Sequence, residues 1–308
     1  MLDELGPLLK NLPPRTASAL AQAITRCGKE LGIETDWVQR WVGFTIVADA
    51  LASHAPDGKS LFELKGGAAI EMRMRQLERA DAQRTTAGQA TIRPRATRDL
   101  DATYHGALDD IETAVRTALE VPRHNFALRM ELETPDARHM RRFRIHVSYQ
   151  EERFGRIVER PFANVKLEVS AYEGTPLAPE MVRAFSLRPF GIEGPALLPC
   201  IPIIKQVAQK LHAVTETPAE ERINDRFRDL LDIVMLSTLA PPSAALRSVC
   251  EETFDVRQQQ RWPPEIIVHP HWVEPMEQRA MEMGLDQHSA TDIAAYVVEY
   301  VRRIASVE

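Results

Sequence analysis

The sequence predicts an α+β protein, with helices at both ends and a strand-rich middle. Residues up to about 60 read as helices, the segments 126–133, 142–149 and 165–170 alternate apolar with polar residues, and from Pro199 onward helical patterns return. The expected organisation is N-terminal helices over 1–60, a sheet core over 61–198 and a C-terminal helical region over 199–308.

In chain order, Thr16 to Ile24 continues a helical pattern after Pro13-Pro14. Asp36 opens a second helix as N-cap or first-turn acid. On it Trp37 and Trp41, four apart, share a face and read as core. Leu61 to Leu64 is a short strand delivering the chain to Gly66-Gly67, and Ala68 to Met74 reads as the start of a helix. The polar stretch from Arg75 to Pro94 reads as an exposed loop or helix end. Thr97 to Tyr104 is a strand, and Leu108, Ile111, Val115 and Leu119 recur at helical spacing. In the alternating strands Phe143, Ile145, Val147 and Tyr149 share one side, and Val165, Leu167 and Val169 point inward, leaving Lys166, Glu168 and Ser170 outside. Later, Ile203 to Thr215 and Arg222 to Leu239 read as helices, the second carrying Asp225, Asp229 and Asp232 along one stripe. His269 and His271 flank a proline and read as loop residues; Ala290 to Ile304 is a last helix.

With 308 residues, 44% hydrophobic and 27% charged, the chain has the composition of a globular protein large enough for a sizeable core. Its net charge of −6 argues against a nucleic-acid coat protein. Arg93, Arg95 and Arg98, and Arg138, Arg141, Arg142 and Arg144, form two basic clusters that read as solvated loops ahead of RNA contacts. Cys27, Cys200 and Cys250 are scattered, with no C-x-x-C pair, so neither a zinc knuckle nor a disulfide framework is supported. No apolar run approaches the roughly 20 residues of a membrane span, and the first residues lack a signal-peptide pattern. The cytoplasm is the expected compartment, with no membrane partner.

The chemistry concentrates between Lys65 and Asp101. A strand running into Lys65-Gly66-Gly67 and a helix brings bare backbone N–H groups to where an anion is favoured. Asp99 and Asp101, alternate residues of a strand, point the same way while Leu100 points to the other side. Two hard oxygen donors beside a phosphate cradle suit Mg²⁺. If Leu100 and Val169 share the core-facing side, Glu168 joins the two aspartates on the other; Glu168 reads equally as an exposed strand acid.

Together these segments resemble the AbiEii family of nucleotidyltransferases, within the DNA polymerase β-like superfamily. Lys65-Gly66-Gly67 and Arg95-Ala96-Thr97-Arg98-Asp99-Leu100-Asp101 match its first pattern, Lys210-Leu211-His212-Ala213 its helical lysine element, and Arg228-Asp229-Leu230-Leu231-Asp232 a third. The resemblance runs from about residue 40 to the end. It departs at Ala68, where a threonine is common, in a longer connection from Gly67 to Asp99, and in having Lys205 and Gln206 where an acid often precedes the helical lysine. It implies a polymerase β-like core with a mixed sheet, and transfer of a nucleoside monophosphate from an NTP to an acceptor such as tRNA. Asp99, Asp101 and Glu168 would hold Mg²⁺. Lys65, Gly66, Gly67 and Thr97 would contact the nucleotide, Lys210 would meet the β and γ phosphates, and Asp229 would act as base or orient Lys210. Asp232 with Arg228 reads as an i,i+4 surface pair. The resemblance also implies a toxin of phage defence (abortive infection) with a separately encoded antitoxin. The alternative is a non-catalytic nucleotide- or protein-binding module on the same fold.

Overall fold

The computed structural model describes residues 13–82, 97–133, 140–216, 224–258 and 260–307. Arg93, Arg95 and Arg138, and most of the polar stretch before Pro94, lie outside them. The chain divides into two compact units: Met1–Arg79, Ala96–Tyr172 and Met181–Cys200 form one, and Ala80–Arg95, Glu173–Glu180 and Ile201–Glu308 the other.

The first unit is built on a mixed seven-stranded sheet. Its strands are β1 (Phe62–Lys65), β2 (Asp99–Tyr104), β3 (Phe126–Glu133), β4 (Met140–Arg153), β5 (Arg156–Ala171), β6 (Glu180–Arg183) and β7 (Leu197–Cys200). They lie in the order β3-β4-β5-β2-β1-β7-β6. β2 runs parallel to β5 and antiparallel to β1, and β1 runs parallel to β7. β3 spans the expected 126–133, while β4 and β5 are longer than the pattern marks and form one hairpin. β6 and β7, four residues each, are too short to announce themselves by periodicity.

One face of this sheet is apolar and buried: Phe62, Leu64, Leu100, Ala102, Phe143, Ile145, Val147, Tyr149, Val165, Leu167 and Val169. Helix α1 (Ala17–Leu31) is capped by Thr16, whose hydroxyl accepts from Ala19 N–H, and ends at Gly32 with φ +64°. Helix α2 (Thr35–Ala52) is apolar on nearly every side, as a helix inside a core must be, and Trp41 stacks on Phe185 at 3.9 Å. The Trp37–Trp41 pair is core, with ring centroids 5.8 Å apart. Helices α3 (Gly66–Ala82) and α4 (Ile111–Leu119) complete this unit. The opposite sheet face carries the polar residues of β1, β2 and β5.

Arg141, Arg142 and Arg144 lie on β4 and not on a loop. Each pairs with an acid: Asp109, Glu168 and Glu133 respectively. The three described arginines of the cluster are thus each ion-paired.

The second unit holds helices α5 (Ile203–Thr215), α6 (Phe227–Ser237), α7 (Ala244–Arg257), α8 (Val273–Met283) and α9 (Ala290–Ala305). Ser243 and Ser289 cap α7 and α9 through their hydroxyls. α6 starts at Phe227, so Asp225 stands ahead of the helix, exposed, and is not on the stripe with Asp229 and Asp232. Asn224 directs the turn there: its amide donates to the Glu216 carbonyl, and its own carbonyl accepts from the buried Trp272 indole. His271 shares that carbonyl at 3.0 Å, within a short 3₁₀ turn, in keeping with a loop role. All three cysteines are buried free thiols. No helix among the described residues is long and apolar enough to cross a membrane.

Candidate nucleotidyltransfer site

The junction between β1 and α3 is shaped around one carboxylate. Gly66, the first residue of α3, has φ +63°. A Cβ built on it would lie 1.9 Å from Asp101 Oδ2, so the carboxylate sits flush against the glycine backbone. Both constraints demand glycine, and together they fix Asp101 at the start of a helix, where partial positive charge favours an anion. Gly66→Ala is expected to destabilise the chain by about 1–2 kcal/mol from the left-handed conformation alone. It should also displace Asp101, so activity should fall further than the loss of folded protein explains. Denaturant unfolding of the two proteins, run beside the activity assay, checks this.

Asp99 and Asp101 lie on the polar face of β2 with Leu100 buried between them, as the alternation requires. The register sets Asp101 between Lys65 of β1 and Glu168 of β5. Glu168 thus shares the face of the two aspartates. Its Oε1 is also 2.8 Å from Arg142 Nε, a charge partner from the next strand that no local pattern shows. Lys65 Nζ donates to Ser170 Oγ at 2.5 Å. The buried Thr97 hydroxyl donates to the Asp99 carbonyl, and the Thr97 carbonyl accepts from Arg40. Thr97 is therefore placed to hold the entrance of β2, with its hydroxyl directed at backbone.

The helical unit carries a second charged centre. Lys210 on α5 is buried, and its Nζ lies 2.7 Å from both Asp229 Oδ1 and Asp232 Oδ2 on α6. Asp232 is wholly inaccessible, so the expected surface pair with Arg228 is incorrect. The α6 face bearing Asp229 and Asp232 is turned inward onto the lysine, because an isolated buried charge would be far costlier than a paired one. Both aspartates accept from the same ammonium. Lys205, one turn earlier on α5, is also buried and pairs with Glu252 of α7 at 3.4 Å.

A profile of the nucleotidyl transferase AbiEii toxin family, type IV toxin–antitoxin system, matches residues 49–301. The chain belongs to this family. The AbiEii assignment covers both units, including the β1–α3 junction, the Asp99–Asp101 strand and the Lys210 centre. Among solved structures, the AbiEii-family chain is similar to MenT4, a nucleotidyltransferase toxin from Mycobacterium tuberculosis H37Rv. The identity is 16% and the TM-score 0.53, with 95% of this chain and 90% of that one covered. At that identity the likeness is one of fold. It is also similar to JHP933 from Helicobacter pylori at 15% identity and a TM-score of 0.40, covering 86% and 93%. No curated protein matches the sequence.

Among the described residues, no three histidine, cysteine, aspartate or glutamate side chains converge closely enough to hold a metal by themselves. Mg²⁺ does not need three, since it keeps waters and is completed by substrate phosphates around one or two carboxylates. Asp99 and Asp101 supply that number of hard donors on one strand face. The donor set fits.

Two features of this AbiEii-family chain escape motif reading. Glu63, 2% exposed, lies on the polar side of β1 and pairs through Oε1 with His105 Nε2 at 2.5 Å. Period-two alternation in Phe62-Glu63-Leu64-Lys65 could have found it, because it places Glu63 on the side of Lys65. Glu71, 1% exposed on α3, had no such signal: it lies near the Trp37 and Trp41 indoles, which come from another helix.

Proposed function

We propose that this AbiEii-family chain transfers a nucleoside monophosphate from an NTP to an RNA acceptor such as tRNA, in a Mg²⁺-dependent reaction. The observation that carries the reading is the Asp101 carboxylate seated against Gly66 at the start of α3, with Asp99 beside it on one face of β2. Asp99 and Asp101 would hold Mg²⁺, which neutralises charge on the phosphate oxygens when bound. The glycine junction orients the triphosphate by backbone N–H groups, and Lys65 adds a cation beside it. Glu168 accepts the proton from the acceptor hydroxyl as the new O–P bond forms at the α-phosphorus. The bond from that phosphorus to pyrophosphate breaks, and pyrophosphate leaves. By the family resemblance, Lys210, which Asp229 and Asp232 hold, would supply an ammonium to the β and γ phosphates. Positioning and charge neutralisation carry most of the acceleration in such transfers.

The biological reading follows the family: a cytoplasmic toxin restrained by a separately encoded antitoxin and acting in abortive infection. Incubating the chain with each labelled NTP and total RNA should label RNA in the wild type, and neither in Asp101→Ala nor after metal chelation. Nucleotide binding with no label on any acceptor would replace the transferase by a binding module. Growth arrest on expression that survives Asp101→Ala would remove the link between the chemistry and toxicity.

A further inference from the structure

The hairpin of β4 and β5 ends in a feature that neither the core nor the transfer chemistry uses. β3 pairs with β4 only as far as Tyr149, and β2 with β5 only from Lys166 onward. From Glu151 to Val158 the hairpin therefore runs on as a two-stranded ribbon, its strands paired with each other. Such a ribbon is marginal by itself, and a buried carboxylate stiffens this one. Glu151, 2% exposed, accepts from Ala17 N–H at 2.9 Å and pairs with Arg153 and Arg160 at 2.6 and 3.2 Å.

The turn at the end of the ribbon is Phe154-Gly155, with φ +51° and +73°, the left-handed pair that fits a two-residue hairpin. Asparagine, aspartate or glycine fill the first place at little cost, whereas a bulky side chain there is an outlier. Burial does not compensate, because the Phe154 ring is fully exposed. Its surroundings are one-sided in charge. Arg153 and Arg156 face each other across the ladder, a like-charge pair that weakens a hairpin. With Arg160 they put three cations on one side of the ribbon against the single carboxylate of Glu151. Folding alone favours neither the ring nor the arginine pair at this place.

A rigidly held, exposed ring between guanidinium groups can stack an unpaired base while the cations meet the flanking phosphates. An acidic protein surface would answer the arginines and leave the flat ring unexplained. Arg156 opens β5 and Glu168 lies twelve residues on, about 40 Å of strand, a span that suits a folded RNA and not a mononucleotide. We propose that the Phe154 tip is a contact for the RNA acceptor, the ring stacking an unpaired base and Arg156 meeting a neighbouring phosphate. This deepens the transferase reading and rests on it for the identity of the occupant.

The test is binding of labelled bulk tRNA to the full chain over a range of salt, without NTP, beside titration with inorganic tripolyphosphate. Phe154→Asn suits the left-handed turn and should fold at least as well as the wild type, yet weaken tRNA about tenfold through the lost stack. Phe154→Trp should keep the affinity. Arg156→Gln should lower the slope of log affinity against log salt by about one. Tripolyphosphate binding should be the same in all of them. Equal tRNA affinity in the wild type and Phe154→Asn would overturn the contact while leaving the transferase intact. So would a Phe154→Asn variant that lost self-association in sedimentation and kept its tRNA affinity, which would make the tip a protein interface. Phe154-dependent tRNA binding with no label passed to any acceptor would instead remove the transferase reading and leave the RNA contact standing.

Discussion

Lys210→Met is expected to destabilise the protein by about 3–5 kcal/mol, because it strands two carboxylates in a buried site built around one ammonium. Asp229 and Asp232 both contact Nζ at 2.7 Å, and Asp232 has no access to water. Without the cation the two carboxylates face each other in a site closed to water. Adding Asp229→Asn and Asp232→Asn to Lys210→Met removes the stranded charges and should restore most of the lost stability. Transfer activity should stay absent in that refolded triple variant, which separates the ammonium's proposed service to the triphosphate from its structural one. Urea unfolding of the single and triple variants measures the first effect. A loss below about 1 kcal/mol in Lys210→Met would show the centre to be solvated and screened.

The same centre shows where sequence reasoning succeeds and where it stops. Period-two alternation placed Asp99, Asp101 and Glu168 on one sheet face because the other face is buried, and a one-residue slip would expose Leu100 and Leu167. The Gly66 requirement was visible as a strand-to-helix junction, though its cause, the Asp101 carboxylate filling the space of a Cβ, is a contact between strands and has no local signature. On α6, Arg228 and Asp232 have the spacing of a surface pair, and helical spacing cannot tell a solvated stripe from one turned inward. Only packing of α6 on α5 decides that, and it buries Asp232. The partners of Arg142, Arg144 and Glu63 are likewise set by strand register or chain reversal. Strands β6 and β7 are too short for any period to show.

Glu71 should make the protein less stable as pH rises from about 4.5 to 7, and Glu71→Gln should remove that dependence. Burial raises its carboxyl from 4.5 to about 7, against the opposing pull of Arg75, whose Nη2 lies 3.9 Å away. The Trp37 and Trp41 indoles and the Thr97 backbone are close enough to favour the anion weakly, but neither carboxylate oxygen reaches hydrogen-bond geometry with any described residue. The sign follows from proton counting. Between the two pKa values the folded chain holds a proton that the unfolded chain has released, so raising the pH favours unfolding. The rise from 4.5 to about 7 corresponds to about 3–4 kcal/mol, at about 1.4 kcal/mol for each tenfold change in proton affinity. Glutamine reproduces the neutral acid in shape and polarity, so Glu71→Gln should match the wild type near pH 4 and exceed it by up to about that amount at pH 8. Thermal unfolding across this range reads the difference directly. Parallel curves for the two proteins would mean that the Glu71 carboxylate stays ionised in its pocket, compensated by Arg75 despite the burial.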